Sequence, residues 1–143
     1  MTQTSGPCPC GLPGTLESCC GRYVLDGLRA PDPEALMRSR YCAFTIGTPK
    51  AVEYLVETQH EDFRQPHLAS ALQATINDVT WCSLEVRETS HLNDEGLVEF
   101  TALYKHDEQL SRLQERSSFV REGGRWLYTT GHLDPAQNGP VED

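Results

Sequence analysis

The stretch Trp81–Thr89, WCSLEVRET, decides how this chain folds. Cys82, Leu84 and Val86 alternate with Ser83, Glu85 and Arg87, the period of two that a strand shows when one face is buried. The pattern continues downstream. Asn93-Asp94-Glu95-Gly96 reads as a turn, and Leu97–Lys105 follows with Val98, Phe100, Ala102 and Tyr104 on one face. His106-Asp107-Glu108 breaks the alternation, a third strand spans about residues 110–121, and Glu122-Gly123-Gly124 closes a hairpin into Arg125–Leu133. In that last strand Arg125, Leu127 and Thr129 oppose Trp126 and Tyr128.

Upstream of Trp81 the period is helical. Asp32 caps a helix that runs from about Pro33 to Thr45, with Pro33 in its first turn and Glu34 at its positive end. Leu36, Met37, Tyr41 and Phe44 form its apolar stripe, with Arg38 and Arg40 beside it. Gly47 ends this helix. Thr48 and Pro49 open a second, whose buried face is Ala51, Val52, Leu55 and Val56. A third, about Leu68 to Ile76, presents Leu68, Leu72 and Ile76 at four-residue spacing. Helices first and antiparallel strands afterwards make an α+β domain.

The chain has 143 residues, which suits one domain with a small appendage. Hydrophobic residues are 38% and charged residues 23%, a composition that can build a core. Lys and Arg total 12 against 21 Asp and Glu, a formal net charge of −9. A nonspecific duplex binder needs a positive surface to displace counterions, so nucleic acid is not an expected partner. No run of 18 apolar residues is present, so no membrane span is expected. The stretch MTQTSGPCPCG has neither the positive charge nor the apolar run of a secretory signal, and the expected location is cytoplasmic.

Four of the six cysteines fall in CPCGLPGTLESCCG: Cys8, Cys10, Cys19 and Cys20. The arrangement is C-x-C, eight intervening residues, then C-C. Gly11, Pro13, Gly14 and Gly21 let the backbone turn so that the second pair faces the first. Structural zinc takes four soft ligands in a tetrahedron, and this set supplies them. Disulfides, redox thiols and a metal-free site are the alternatives. A cytosolic compartment disfavours disulfides, and the segment lacks a C-x-x-C spacing and any flanking positive charge except Arg22. Four thiolates leave no coordination position for water, so one zinc ion per chain here is expected to be structural. Leu12 and Leu16 are too little core for the segment to fold alone, which makes metal binding its source of folding energy. Cys42 and Cys82 read as buried, inert core thiols.

CPCGLPGTLESCCG resembles the SEC-C motif, a small zinc module, in its eight-residue gap and in the glycine after the second pair. The gap lacks the lysines and the aromatic usual there, with Leu16 at the aromatic's place. The stretches ALMRSRYCAF (residues 35–44) and ERSSFVREGGRWLYTTG (residues 115–131) resemble the YchJ-like family of small bacterial proteins. That resemblance implies a domain similar to the nuclear-transport-factor-2 fold, with three N-terminal helices packed on a curved, cone-like antiparallel sheet. The implied organisation is a zinc module over residues 1–25, the α+β domain over 26–134 and a flexible tail over 135–143.

The resemblance also implies a pocket between sheet and helices, for which Arg38, Arg40, Tyr41, His60, Trp81 and Trp126 are the candidates. His60, Glu85, Glu99, Glu115 and His132 can carry protons, yet none lies in a catalytic motif, and no catalytic residue is assigned. The favoured function is a zinc-containing binding or adaptor protein, with a protein or a small ligand as partner. The alternative is an enzyme or ligand-binding protein that uses the pocket.

Overall fold

The computed structural model describes residues 6–141. Residues 1–5 of the expected module and 142–143 of the expected tail lie outside the described residues. Among the described residues four α-helices come first: α1 (Gly21–Val24), α2 (Pro33–Ile46), α3 (Pro49–Glu57) and α4 (Leu68–Asp78). Five strands follow: β1 (Thr80–Leu92), β2 (Glu95–His106), β3 (Gln109–Glu122), β4 (Arg125–Leu133) and β5 (Gly139–Pro140).

The caps read from the sequence form. The Asp32 carboxylate accepts from the Ala35 N–H at 2.8 Å, and the Thr48 hydroxyl accepts from the Ala51 N–H at 3.2 Å. Gly47 closes α2 in the left-handed conformation, φ 68°, with its N–H on the Ala43 carbonyl. The strands form an antiparallel meander in which each pairs with its neighbour in sequence.

The sheet does not curl into the cone that the resemblance implied. Its order is β1-β2-β3-β4, an open path whose outer strands do not meet, with β5 added to β3 through Ser111↔Pro140 and Arg112↔Gly139. Closure needs the first and last strands to hydrogen-bond, and alternation along a strand specifies only which face is buried. Consecutive hairpins satisfy each strand locally, so nothing draws the two edges together.

α2 lies on the inner face of this open sheet. Leu36, Met37, Tyr41 and Ala43 pack there with Val98, Phe100, Ala102, Phe119 and Trp126. The approach at the start of α2 is tight: a β-carbon on Gly96 would collide with the Pro33 ring. Gly96 is therefore a packing residue inside β2. The turn itself is at Asn93 and Asp94, with Asn93 at φ 57°.

Two elements depart locally from regular, fully packed geometry. In β1, Trp81 pairs with Tyr104 and Ser83 with Leu103, so Cys82 is the extra residue of a bulge. The bulge turns Trp81 inward and leaves Cys82 exposed, correcting the expectation of a buried core thiol. α4 carries Leu72 and Ile76 half-buried against the core but has no fully buried residue. Among the described residues no helix is long and apolar enough to cross a membrane.

Candidate metal centre

The N-terminal segment is built from turns. The Cys8 N–H donates to the Gly14 carbonyl and the Gly11 N–H to the Cys8 carbonyl, while Pro7 and Thr15 form an antiparallel bridge. The returning chain places Cys19 and Cys20 against Cys8 and Cys10. A β-carbon on Gly21 would stand 2.6 Å from the Leu16 carbonyl oxygen, so the residue after the second cysteine pair has to be glycine.

The four Sγ atoms of Cys8, Cys10, Cys19 and Cys20 all lie within 4.8 Å of one another, and all four residues are buried. Cys10 and Cys19 are 3.7 Å apart at sulfur. A tetrahedral zinc with Zn–S distances of about 2.3 Å needs sulfurs about 3.8 Å apart, so the donor set fits in chemistry and in size. All six cysteines are free thiols.

Crowding splits the behaviour of the thiols. Hydrogen bonds from Cys20 and Cys42 hold the Cys10 thiol far below its ordinary range. Burial first, then the contact with Cys10, pushes Cys19 up to about 11. Cys20 is pushed well up, first by its hydrogen bond to Cys10.

Two arginines face this cluster through backbone oxygens. Arg22 Nε donates to the Cys19 carbonyl at 2.8 Å, and Arg38 Nη1 to the Cys10 carbonyl at 2.8 Å. Arg38 is held from its other side by Glu34, at 2.8 Å. A divalent ion with four thiolates carries −2, and these two guanidinium groups stand where they offset it. Cys42 joins from α2: it is fully buried, with its sulfur 3.5 Å from that of Cys8. The sequence set Cys42 apart from the cluster as a core thiol of α2; it is buried as expected, and its contact across 34 residues with Cys8 arises from packing.

The residues expected around a pocket separate into groups. Arg40, Tyr41 and Trp81 line a cavity of about 330 Å³ between α2, α4 and the inner face of the sheet. Arg38 belongs to the metal segment. His60 is buried outside the cavity, with Nε2 2.7 Å from Glu122 Oε2 and Nδ1 accepting from the Asp62 N–H. That pair ties the end of α3 to β3. Trp126 sits apart from the cavity, its ring 5.5 Å from that of His91 and covered by the Arg121 guanidinium at 5.0 Å. The cavity's polar end contains Glu115, which the sequence showed only as an isolated candidate, together with Ser117 and Tyr128.

Residues 32–131 match the protein family described as YchJ, middle NTF2-like domain. The UPF0225 protein of Methylibium petroleiphilum is 42% identical over 134 residues, 93% of each chain. The solution structure of a SEC-C motif-containing protein from Rhodopseudomonas palustris superimposes with a TM-score of 0.81 at 31% identity, covering 89% of this chain and 98% of that one. The crystal structure of a SEC-C motif-containing protein from Psychrobacter arcticus gives 0.74 at 27% identity, covering 99% of this chain and 88% of that one.

Proposed function

Because the chain belongs to the YchJ-like (UPF0225) family, we propose that it is a zinc-holding binding protein whose metal is structural. Cys8, Cys10, Cys19 and Cys20 are the ligands, one ion per chain. The observation that carries this reading is the closed set of four buried sulfurs within 4.8 Å of one another. When bound, zinc supplies the folding energy that a segment with so little apolar material lacks. The remaining work is done by the chain itself. Arg22 and Arg38 orient the cysteine carbonyls and offset the negative centre, and the Cys42 thiol lies within hydrogen-bond reach of the Cys8 sulfur.

The partner in this reading is a protein. Leu12, in the loop between the two cysteine pairs, has 41% of its surface exposed, apolar contact area carried by a segment that the metal would make rigid. Buried free thiols fit a reducing compartment such as the cytoplasm. The net charge of −9 argues against nucleic acid.

Metal analysis of the reduced, full-length protein tests the centre. The expected content is one zinc per chain, falling close to zero in a variant with Cys10→Ser and Cys19→Ser. Less than about half an equivalent in the unsubstituted protein would overturn the proposal.

A further inference from the structure

The cavity between α2, α4 and the sheet does not involve the metal ligands, and its lining is divided by chemistry. Phe44, Leu72 and Trp81 give one end an apolar wall. The other end gathers Arg40, Glu115, Ser117 and Tyr128. At about 330 Å³ it lies at the small end of ligand pockets, which run to roughly 300–1,000 Å³.

Arg40 is the unusual group. It is only 8% exposed, and no carboxylate lies within ion-pair distance of it among the described residues. Its Nη1 donates to the Leu55 carbonyl at 2.8 Å and to the Thr58 hydroxyl at 2.7 Å, and its guanidinium stands 4.7 Å over the Tyr128 ring. Nε and Nη2 have no acceptor in the described chain. These two donors are left for an acceptor that enters the cavity.

Glu115 is its counterpart. Oε2 accepts from Ser117 Oγ at 2.6 Å and from Tyr128 Oη at 3.2 Å, whereas Oε1 has no partner in the described chain. A β-carbon on Gly131 would collide with this carboxylate, so glycine makes its room. At the apolar end the Trp81 indole N–H is buried without a partner. The cavity thus offers one cationic donor and one anionic acceptor. A carboxylate ligand would meet Glu115, and an ammonium ligand would meet Arg40.

We infer that this cavity binds an uncharged small molecule with an aromatic or alicyclic body and a head group that both accepts and donates hydrogen bonds. A primary carboxamide has that head: its oxygen suits the open Arg40 donors and its N–H the open Glu115 oxygen. α4 is the wall best suited to admit it, since none of its residues is fully buried.

The test uses three probes with one ring and different heads: benzamide, benzoate and benzylamine. Each is titrated into the full-length, ¹⁵N-labelled protein, and the two indole N–H resonances are followed, with Trp81 identified through Trp81→Phe. Benzamide should shift the Trp81 resonance saturably, leave Trp126 in place and bind at least about ten-fold tighter than either charged probe. Glu115→Gln should strengthen benzoate binding by about ten-fold, because it removes the opposing charge. Leu72→Trp should abolish benzamide binding by filling the cavity, and the retained Trp126 resonance reports that the fold is intact. No saturable shift of Trp81 by benzamide overturns the inference. So does equal or preferred binding of a charged probe, or undiminished benzamide binding in folded Leu72→Trp protein.

Discussion

Arg38 and Arg40 stand two positions apart on α2 and face different chemistry, because two residues along a helix turn the side chain by roughly 200°. Arg40 looks into the cavity, where burial lowers its pKa to about 10. Arg38 looks at the cysteine segment and holds the Cys10 carbonyl. Arg38→Ala should therefore weaken zinc retention by about 10–100-fold, the usual range for an outer partner of a metal site, with little change in the thermal midpoint of the domain. Competition with a chromophoric chelator measures this; unchanged affinity would mean that Arg38 merely packs. Along the chain the two arginines share the same local context, so their division of labour is visible only in three dimensions. Cys82 shows the opposite failure. The alternation of WCSLEVRET aligned it with Leu84, but a bulge inserts one residue without changing composition, and the face reversed at that point. The four ligand candidates were legible because local spacing alone carries them, whereas Cys42 reaches Cys8 through tertiary packing.

At the scale of elements, α2 and the β1–β2 hairpin are locked together where Pro33 meets Gly96. Gly96→Ala places a methyl group against the ring, and relief requires the helix start or the strand to move. Overpacking of this kind costs about 1–3 kcal/mol, which a urea melt of Gly96→Ala protein should show as a lowered midpoint with unchanged slope. A midpoint equal to that of the unsubstituted protein would mean that the helix start gives way freely. Helix positions were readable because Asp32, Thr48 and Gly47 are chemical stop and start signals with local partners. The role of Gly96 was not, since a glycine after Asn-Asp-Glu looks like a turn residue until the helix packed above it is known. α4 was legible in its spacing but not in its burial. Leu72 and Ile76 repeat at four residues, yet the helix covers a cavity and is only half sunk into the core.

For the whole molecule, burial of tyrosines sets an alkaline limit. Tyr54 is pushed up to about 12, first by burial, with its hydroxyl 2.6 Å from Ser39 Oγ. Tyr41 is likewise pushed up to about 12 by burial, and Tyr128 is raised by burial and by the nearby Glu115. The folded state thus favours the protonated phenols more than the unfolded state does. This stability is complete below pH 10 and is lost as pH rises from 10 towards 12. Tyrosinate absorbance at these groups should rise together with loss of native tryptophan fluorescence; ionisation of all five tyrosines near pH 10 with the fold intact would contradict it. The α+β order was legible in the change of period at Trp81, but the openness of the sheet was not, because strand alternation is silent about how far a sheet coils. That openness leaves two edges, and both are interrupted. On β4 the segment from Thr58 to His60 pairs with Tyr128, the Tyr128 N–H on the Thr58 carbonyl at 2.7 Å and the His60 N–H on the Tyr128 carbonyl at 2.8 Å. On β1 the register slips at Cys82 and again at Arg87. Neither edge offers an unbroken template for a foreign strand, so the molecule carries its own guard against end-to-end stacking into fibres.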